Sequence, residues 1–303
     1  SQEFWPVTTT SSGRLTVPTE LERAGNYSQS VDLNNALIPI LDPTSRQPMP
    51  GNVIPASRMD GSGTGLLKVF PLPNFTNRQV SGGNYNYVFN AETATPQRFG
   101  TMRIDYNINA KNQIYGTYSF YLDRQSGWQV ATTSANWNQL PRTYWTDPKL
   151  LVLRYNMIIT PTLVNELTVG ANGRKEGEDI AADALAQSTR SKIGFTAGQF
   201  SPGVNPLGLI PNATFGGVTN AANLFMDNRT PLLSTRLNVP ISDNITKISG
   251  GHVFKAGFVA ERIFATANAA NPFNGSYSFA RDVNNPLDTG YAYSNASFGV
   301  FSS

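Results

Sequence analysis

Hydrophobic and polar residues alternate with a period of two on both sides of a short polar turn, Asn109–Asn112. Successive side chains of a β-strand point to opposite faces, so this pattern predicts an antiparallel hairpin over 99–123 with one apolar and one polar face. The predicted apolar face carries Met102, Ile104, Tyr106, Ile108, Ile114, Gly116, Tyr118, Phe120 and Leu122. The question raised by this pattern is whether that face contacts a protein core or lipid.

The same alternation predicts two further hairpins along the chain. One turns at 160–165, and together with the first hairpin it fills the region 99–174. The other occupies 241–264 and turns at 249–252, where the sequence "SGGH" is suited to a tight turn. The chain is therefore predicted to contain at least three hairpins with short turns.

Long segments without a sustained period connect the hairpins. We predict irregular extracellular loops over 1–98 and 175–240, and an aromatic loop over 124–148. A loop this long is unusual in a compact soluble domain. The final region, 265–303, is predicted to hold weak strands around Ser276–Ala280 and Tyr291–Val300.

Short turns on one edge of a sheet and long loops on the other are typical of an outer-membrane barrel, with periplasmic turns and extracellular loops. The arms also have about the 9–11 residues that a tilted strand needs to cross a bilayer. We therefore predict an all-β fold made of antiparallel hairpins of a transmembrane β-barrel, partial, with about six to eight strands. A soluble β-sandwich or barrel alternates too, and periodicity alone leaves that alternative open.

Composition narrows the function classes. Charged residues make up 14% of the chain, which is well below the usual share of about a quarter in soluble domains. The formal charge of +3 is small and its basic residues are scattered, so no nucleic-acid partner is expected. The absence of cysteine excludes disulfides and thiolate chemistry. No apolar run approaches the about 20 residues of a transmembrane helix.

Several phrases resemble the Oar-like TonB-dependent outer-membrane receptors, which carry a carboxypeptidase-regulatory-like domain. Three of them lie early in the chain, at Glu22–Ser28, Asp42–Arg58 and Leu66–Asn74. Further similar phrases are "RIDYNINAKNQIYGTYSF", "ITPTLVNELTVG", "GHVFKAGFVAER" and "DTGYAYSNASFGVF". Each match is modest, but their order and spacing make the group specific.

The resemblance implies a plugged barrel in the outer membrane of a Gram-negative-type bacterium that takes up a carbohydrate-like or other nutrient ligand with energy passed on by TonB. No plug, TonB box or regulatory-like domain is found, so an internal barrel fragment is expected. The implied partners are outer-membrane lipid, the small ligand, and the TonB system and plug domain of the full-length protein. A slice of a barrel has open sheet edges, which invite self-association.

No catalytic constellation is visible, and neither a metal nor a cofactor is expected. His252 is the only histidine and lies at a predicted turn. The acidic residues Glu176, Glu178 and Asp179 are expected to lie in a solvated loop, with Ca²⁺ binding as the sharper alternative. Two other functions stay open: a soluble β-rich hydrolase acting on a polysaccharide or ester, and a structural module that assembles through its sheet edges.

Ligand contacts are expected from two groups of side chains. Aromatic residues of the loop can stack on a flat ligand, or alternatively pack the loop or join an interfacial girdle. Charged residues on the polar strand face can line a permeation path, or alternatively pair with one another or with a plug. The candidate residues are Trp128, Trp137, Tyr144, Trp145, Arg103, Asp105, Arg154 and Glu166.

Overall fold

The structure is a computed structural model, and it describes residues 1–128, 130, 135–199, 201–226, 232–267 and 274–302. Most of its strands join one ten-stranded sheet, and two short strands pair separately in parallel. The strands are β1 (Gln2–Trp5), β2 (Thr8–Leu15), β3 (Tyr87–Ala94), β4 (Gln97–Asn109), β5 (Asn112–Gly127), β6 (Arg142–Thr146), β7 (Lys149–Thr160), β8 (Leu163–Ile180), β9 (Asn212–Thr214), β10 (Leu233–Ser249), β11 (His252–Ala267) and β12 (Ser276–Ser278).

Helices are short, and all of them lie outside the large sheet. The α-helices are α1 (Glu20–Arg23), α2 (Gly61–Leu67), α3 (Arg78–Ser81), α4 (Ala182–Gln187), α5 (Arg190–Ile193) and α6 (Ala292–Phe298). Single 3₁₀ turns span Pro50–Asn52, Ala56–Arg58 and Pro202–Val204.

Three pairs of consecutive strands are halves of one long strand that is interrupted at a proline. β1 continues into β2 past Pro6, β3 into β4 past Pro96, and β6 into β7 past Pro148. Proline has no N–H to donate to a neighbouring strand, so the ladder breaks there and resumes in register on the same partners. The ten strands therefore make seven passes across the sheet.

The three hairpins predicted from the alternation are present. β4 and β5 pair down to Asn109 and Asn112, β7 and β8 meet at 161–162, and β10 and β11 pair down to Ser249 and His252. All three short turns lie at one end of the strands, and the long connections lie at the other. Within the described residues, β1, β2 and β11 pair on one side only, which leaves two free edges.

The predicted boundaries of the irregular regions are wrong in three places. Strands β1, β2 and β3 occupy both ends of the predicted loop 1–98, and β6 lies inside the predicted aromatic loop 124–148. The strands β8 and β10 also extend into the predicted loop 175–240. Proline breaks hide the period in the first two cases, and pairing with longer neighbours extends the strands in the third.

The chain end also differs from the prediction. A weak strand was predicted over Tyr291–Val300, but the structure forms the helix α6, which ends at Gly299 in the left-handed conformation (φ 71°). Nearly every residue of α6 is buried, so no amphipathic period marks it as a helix. The strand predicted around Ser276–Ala280 is present as the short β12.

One face of the sheet is apolar across its width. A single cross-strand row on this face consists of Ile104, Gly116, Leu153, Val169, Ile241 and Ala260. No other part of the described protein covers the row: Ile104 is 62% exposed and Leu153 is 47% exposed. Most charged residues on this face lie towards its two ends, such as Arg124 and Lys175 near the loops and Lys247 near the turns, but Asp243 and Arg262 lie next to the central row. The result is an apolar band with polar borders that these two charges interrupt.

The main hydrophobic core lies in the loops rather than on the sheet. We call the described residues of 16–86, 128–141, 181–232 and 274–302 the loop cap. All members of the core cluster except Leu15 belong to it. Phe215 is central, with ring centroids 5.6 Å from Phe70, 5.5 Å from Phe279 and 5.2 Å from Tyr293. The loop cap is therefore a folded unit with its own interior.

Two helices close this interior by direct backbone contact. Asp60 caps α2 by accepting a hydrogen bond from the Gly63 N–H at 2.6 Å. A Cβ atom added to Gly63 would lie 1.8 Å from the carbonyl oxygen of Ala296 in α6, so only glycine permits this approach. Residues that are almost 240 positions apart in the sequence thus hold the cap together.

Candidate functional site

The four charged residues predicted to face a lumen form a continuous strip on the polar face. Arg103 pairs with Asp105 at 2.8 Å, and Arg154 pairs with Glu166 at 3.3 Å. Between the pairs lies Tyr115, whose ring centroid is 4.3 Å from the Arg103 guanidinium and 5.4 Å from that of Arg154. We call these five residues the polar ladder.

The polar ladder neutralises its own charge. Its two arginines and two carboxylates form ion pairs, and both arginines lie against one aromatic ring, where cation–π attraction adds to the pairing. The alternative in which the charged residues pair with one another is therefore the arrangement observed. Tyr115 was not among the predicted site residues, although the alternation placed it on the polar face between Arg103 and Arg154.

A second polar cluster lies on the same face, nearer the loops. The Arg142 guanidinium donates to both carboxylate oxygens of Glu178, at 3.1 and 3.2 Å, and these side chains are 2% and 0% exposed. The Tyr144 hydroxyl donates to Glu176 at 2.7 Å, and Arg174 forms an ion pair with the same carboxylate. We call these five residues the upper cluster.

The upper cluster corrects the expectation for the acidic residues. Glu176, Glu178 and Asp179 lie in β8 rather than in a loop, and they pair with residues of β6. Because side chains alternate along a strand, Asp179 points to the face opposite the two glutamates. An arginine forms an ion pair with each of the two glutamates. Among the residues that the structure describes, no three His, Cys, Asp or Glu side chains are grouped to hold a metal ion.

The two tryptophans predicted to stack on a ligand are buried. The Trp128 indole N–H donates to the Ala135 carbonyl at 2.9 Å, and that of Trp137 donates to the Asn223 carbonyl at 2.7 Å. Their rings pack against Phe89 and Phe70, with centroids 5.1 and 5.7 Å apart. Both indoles therefore pack the loop against its neighbours, which was the alternative to ligand stacking. Neither ring is exposed enough to stack on a ligand. Residues 129 and 131–134 of the predicted aromatic loop lie outside the described residues.

Tyr144 and Trp145, predicted to contact the same ligand, lie on opposite faces of the sheet. Tyr144 belongs to the upper cluster on the polar face. Trp145 pairs with Arg124 and Gly177 on the apolar face, and the Arg124 guanidinium lies 5.8 Å from its ring centroid. A Cβ atom on Gly177 would lie 2.6 Å from the Trp145 ring, so this glycine accommodates the indole. Trp145 thus has the position of a girdle residue at the border of the apolar band.

The loop cap contains a cavity of about 640 Å³ that sequence reasoning missed. We call it the cap cavity. Its walls come from four separate segments of the chain, so no local pattern indicates it. Lining residues include Thr16, Gln29, Ser30, Asp32, Asn34, Phe75, Thr76, Arg78, Tyr85, Asn86, Thr219 and Tyr291. A volume of this size lies within the range of about 300–1,000 Å³ typical of small-molecule sites.

Side-chain amides and hydroxyls fix the walls of the cap cavity. Asn86 accepts from the Val17 N–H and donates to the Val17 carbonyl, each at 2.8 Å. The Thr16 hydroxyl donates to the Thr219 carbonyl at 2.6 Å, and this hydrogen bond joins two of the four segments that form the walls. Burial first, and then the nearby Glu22 carboxylate, raise the pKa of Tyr291, so its phenol stays protonated. The cavity is therefore built from a bonded frame.

Comparison with known proteins gives one match. The model of the outer membrane beta barrel domain family matches residues 1–303. No curated protein matches the chain, and no solved structure matches it. Among the helices that the structure describes, none has both the length and the apolar character needed to cross a membrane.

Proposed function

Since the chain belongs to the outer membrane beta barrel domain family, we propose that it forms part of a TonB-dependent receptor that takes up a nutrient ligand. The family match covers the whole chain, so the protein resides in the outer membrane of a Gram-negative-type bacterium. In the proposed arrangement its apolar band faces lipid. The proposal concerns what this outer-membrane protein carries.

The observation that supports uptake is the cap cavity within a folded loop cap at one end of the sheet. In the proposed orientation the short turns face the periplasm and the loop cap faces outwards, as in outer-membrane barrels with short periplasmic turns. The cap then receives a carbohydrate-like or other small nutrient from outside. The polar face, with its polar ladder and upper cluster, lines the route across the membrane.

The proposed partners are the TonB system and a plug domain. A plug would lie against the polar face, where the polar ladder already satisfies its own charges. Movement of such a plug therefore does not have to break ion pairs with this part of the wall. Self-association through the free edges of β1, β2 and β11 stays a prediction, whereas the soluble hydrolase alternative loses its support once the chain is an outer-membrane protein.

Accumulation of labelled oligosaccharides in cells tests the proposal. The full-length protein that contains this chain is expressed in a Gram-negative host, and maltohexaose, cellohexaose, xylohexaose and laminarihexaose are the probes. We expect at least one probe to accumulate, because an energised receptor concentrates its ligand. The matched control is the same protein in a host that lacks TonB.

Loss of accumulation in the host without TonB supports the proposal. Accumulation that is equal in both hosts would instead indicate passive diffusion through an open pore. Failure of every probe to accumulate in the TonB-containing host overturns the carbohydrate assignment.

A further inference from the structure

We propose that the cap cavity is the binding site for a neutral oligosaccharide, an inference that rests on the proposed uptake function and assigns its ligand class and site. The cavity has a volume of about 640 Å³ and a hydrogen-bonded frame. It combines an aromatic platform, uncharged polar groups and charged side chains that are hydrogen-bonded to protein groups.

The aromatic platform consists of Phe75 and Tyr85. Their ring centroids are 5.1 Å apart and their planes are inclined by 39°, so they form a shallow angled surface on one wall. Both residues are half-buried, which leaves part of each ring accessible from the cavity. Such a surface suits the C–H face of a pyranose ring, because aromatic rings combine an apolar face with tolerance of neighbouring polar groups.

The charged residues that line the cavity are occupied by protein groups. The Glu22 carboxylate accepts from the Thr19 N–H at 2.8 Å and from the Ser30 hydroxyl at 2.6 Å. Asp32 accepts from the backbone N–H of Asn34 at 2.8 Å. Arg78 donates through Nη2 to the Asp32 carbonyl at 2.8 Å. Each of these three charged side chains thus has hydrogen-bond partners within the protein.

Uncharged polar groups supply the specificity. The side chains of Gln29, Asn34 and Thr76 border the cavity and are exposed, and amides and hydroxyls match the alternating donors and acceptors of sugar hydroxyls. A polyhydroxylated neutral ligand can exchange its water contacts for these groups. The lining therefore suits a sugar.

Hydrogen bonds within the chain connect the walls of the cavity. Arg78 also donates through Nε to Asn35 at 2.9 Å, which bridges two walls. A Cβ atom on Gly83 would lie 2.6 Å from this guanidinium, so the glycine makes room for the bridge. A site held in place in advance binds with a smaller loss of conformational entropy than one that must be assembled.

Isothermal titration calorimetry on the detergent-solubilised full-length protein tests the inference with the same four hexaoses. We expect one of them to bind, and Tyr85→Ala to raise its Kd about tenfold or more, the effect typical of losing a central aromatic contact. Tyr85→Phe keeps the ring and should bind nearly as well as the wild type. Phe301→Ala is the matched control, because Phe301 is an exposed aromatic residue of the cap outside the cavity.

A second variant guards against misfolding of Tyr85→Ala. Asn34→Trp places a large ring at the cavity wall from an exposed position, and it should abolish binding while circular dichroism stays unchanged. Equal affinity of Tyr85→Ala, Asn34→Trp and the wild type would overturn the inference, as would the absence of binding by all four probes.

The binding and accumulation experiments test the cap cavity and the energised uptake separately. Binding that Tyr85→Ala abolishes, together with accumulation that is indifferent to TonB, keeps the site and removes the energised receptor. TonB-dependent accumulation that Tyr85→Ala and Asn34→Trp leave unchanged keeps the receptor and removes the cap cavity as its site.

Discussion

At the scale of single residues, two of the ion pairs on the polar face differ strongly in burial. The Arg142–Glu178 pair is fully buried, whereas Arg103 and Asp105 are 57% and 46% exposed. Removing one partner of a buried pair leaves an uncompensated charge in a medium of low dielectric constant. Water screens the remaining charge of an exposed pair. The two pairs therefore form a matched experiment within one sheet.

We expect Glu178→Gln to lower the free energy of unfolding by about 3–5 kcal/mol, because Arg142 stays charged and buried. We expect Asp105→Asn to lower it by less than about 1 kcal/mol. Urea titration of the protein folded into lipid vesicles measures both values. Similar losses in the two variants would show that burial does not distinguish the pairs.

Individual residues also show where sequence-based prediction ended. The charges of the polar ladder were expected on one face, and they lie there. The roles of Trp128 and Trp137 were not decided by sequence, because burial depends on contacts with Phe89 and Phe70, which are distant in the chain. Trp145 was predicted both as a girdle residue and as a ligand contact, and only its face in the sheet separates these roles.

At the scale of elements, the alternating strands were predicted well and their ends were not. Side-chain alternation is a local property of a strand, so hairpins around short turns are visible in the sequence. Strand ends depend on pairing partners, which explains the extension of β8 to Ile180 against β6 and β10. The helix α6 was missed because burial on all sides removes the amphipathic period.

The apolar band gives a prediction for neighbouring residues of one strand. Leu153 lies in the central row of the apolar face, whereas Val152 points to the polar face between Thr117 and Gly170. We expect Leu153→Lys to reduce folding stability in vesicles by about 2–4 kcal/mol, the cost of a lysine on a lipid face near the bilayer midplane.

The control for this experiment is Val152→Lys, which adds the same charge one residue away. We expect it to change stability much less, because charged residues are tolerated on the polar side of such a sheet. Equal destabilisation by both substitutions would contradict the assignment of the apolar face to lipid.

At the scale of the whole molecule, the sheet and the loop cap differ in where their apolar residues lie. The sheet leaves the apolar residues of one face uncovered by the rest of the described protein, whereas the loop cap buries residues such as Tyr27, Leu66 and Tyr293 from distant segments. The family match and the sequence pattern together account for the sheet. The cap cavity escaped prediction because segments up to about 270 residues apart form it, and a periodic pattern carries no information on such contacts.

Labelling of single cysteines in intact cells tests the central claim, that the sheet crosses the outer membrane with the loop cap outside. The chain contains no cysteine, so each introduced thiol is unique. We predict that a membrane-impermeant maleimide labels Ser28→Cys, in the cap, in intact cells. It should label Lys111→Cys, in a short turn, only after the outer membrane is permeabilised. Labelling of both positions in intact cells, or of neither until permeabilisation, would place the cap and the turn on one side and contradict the account.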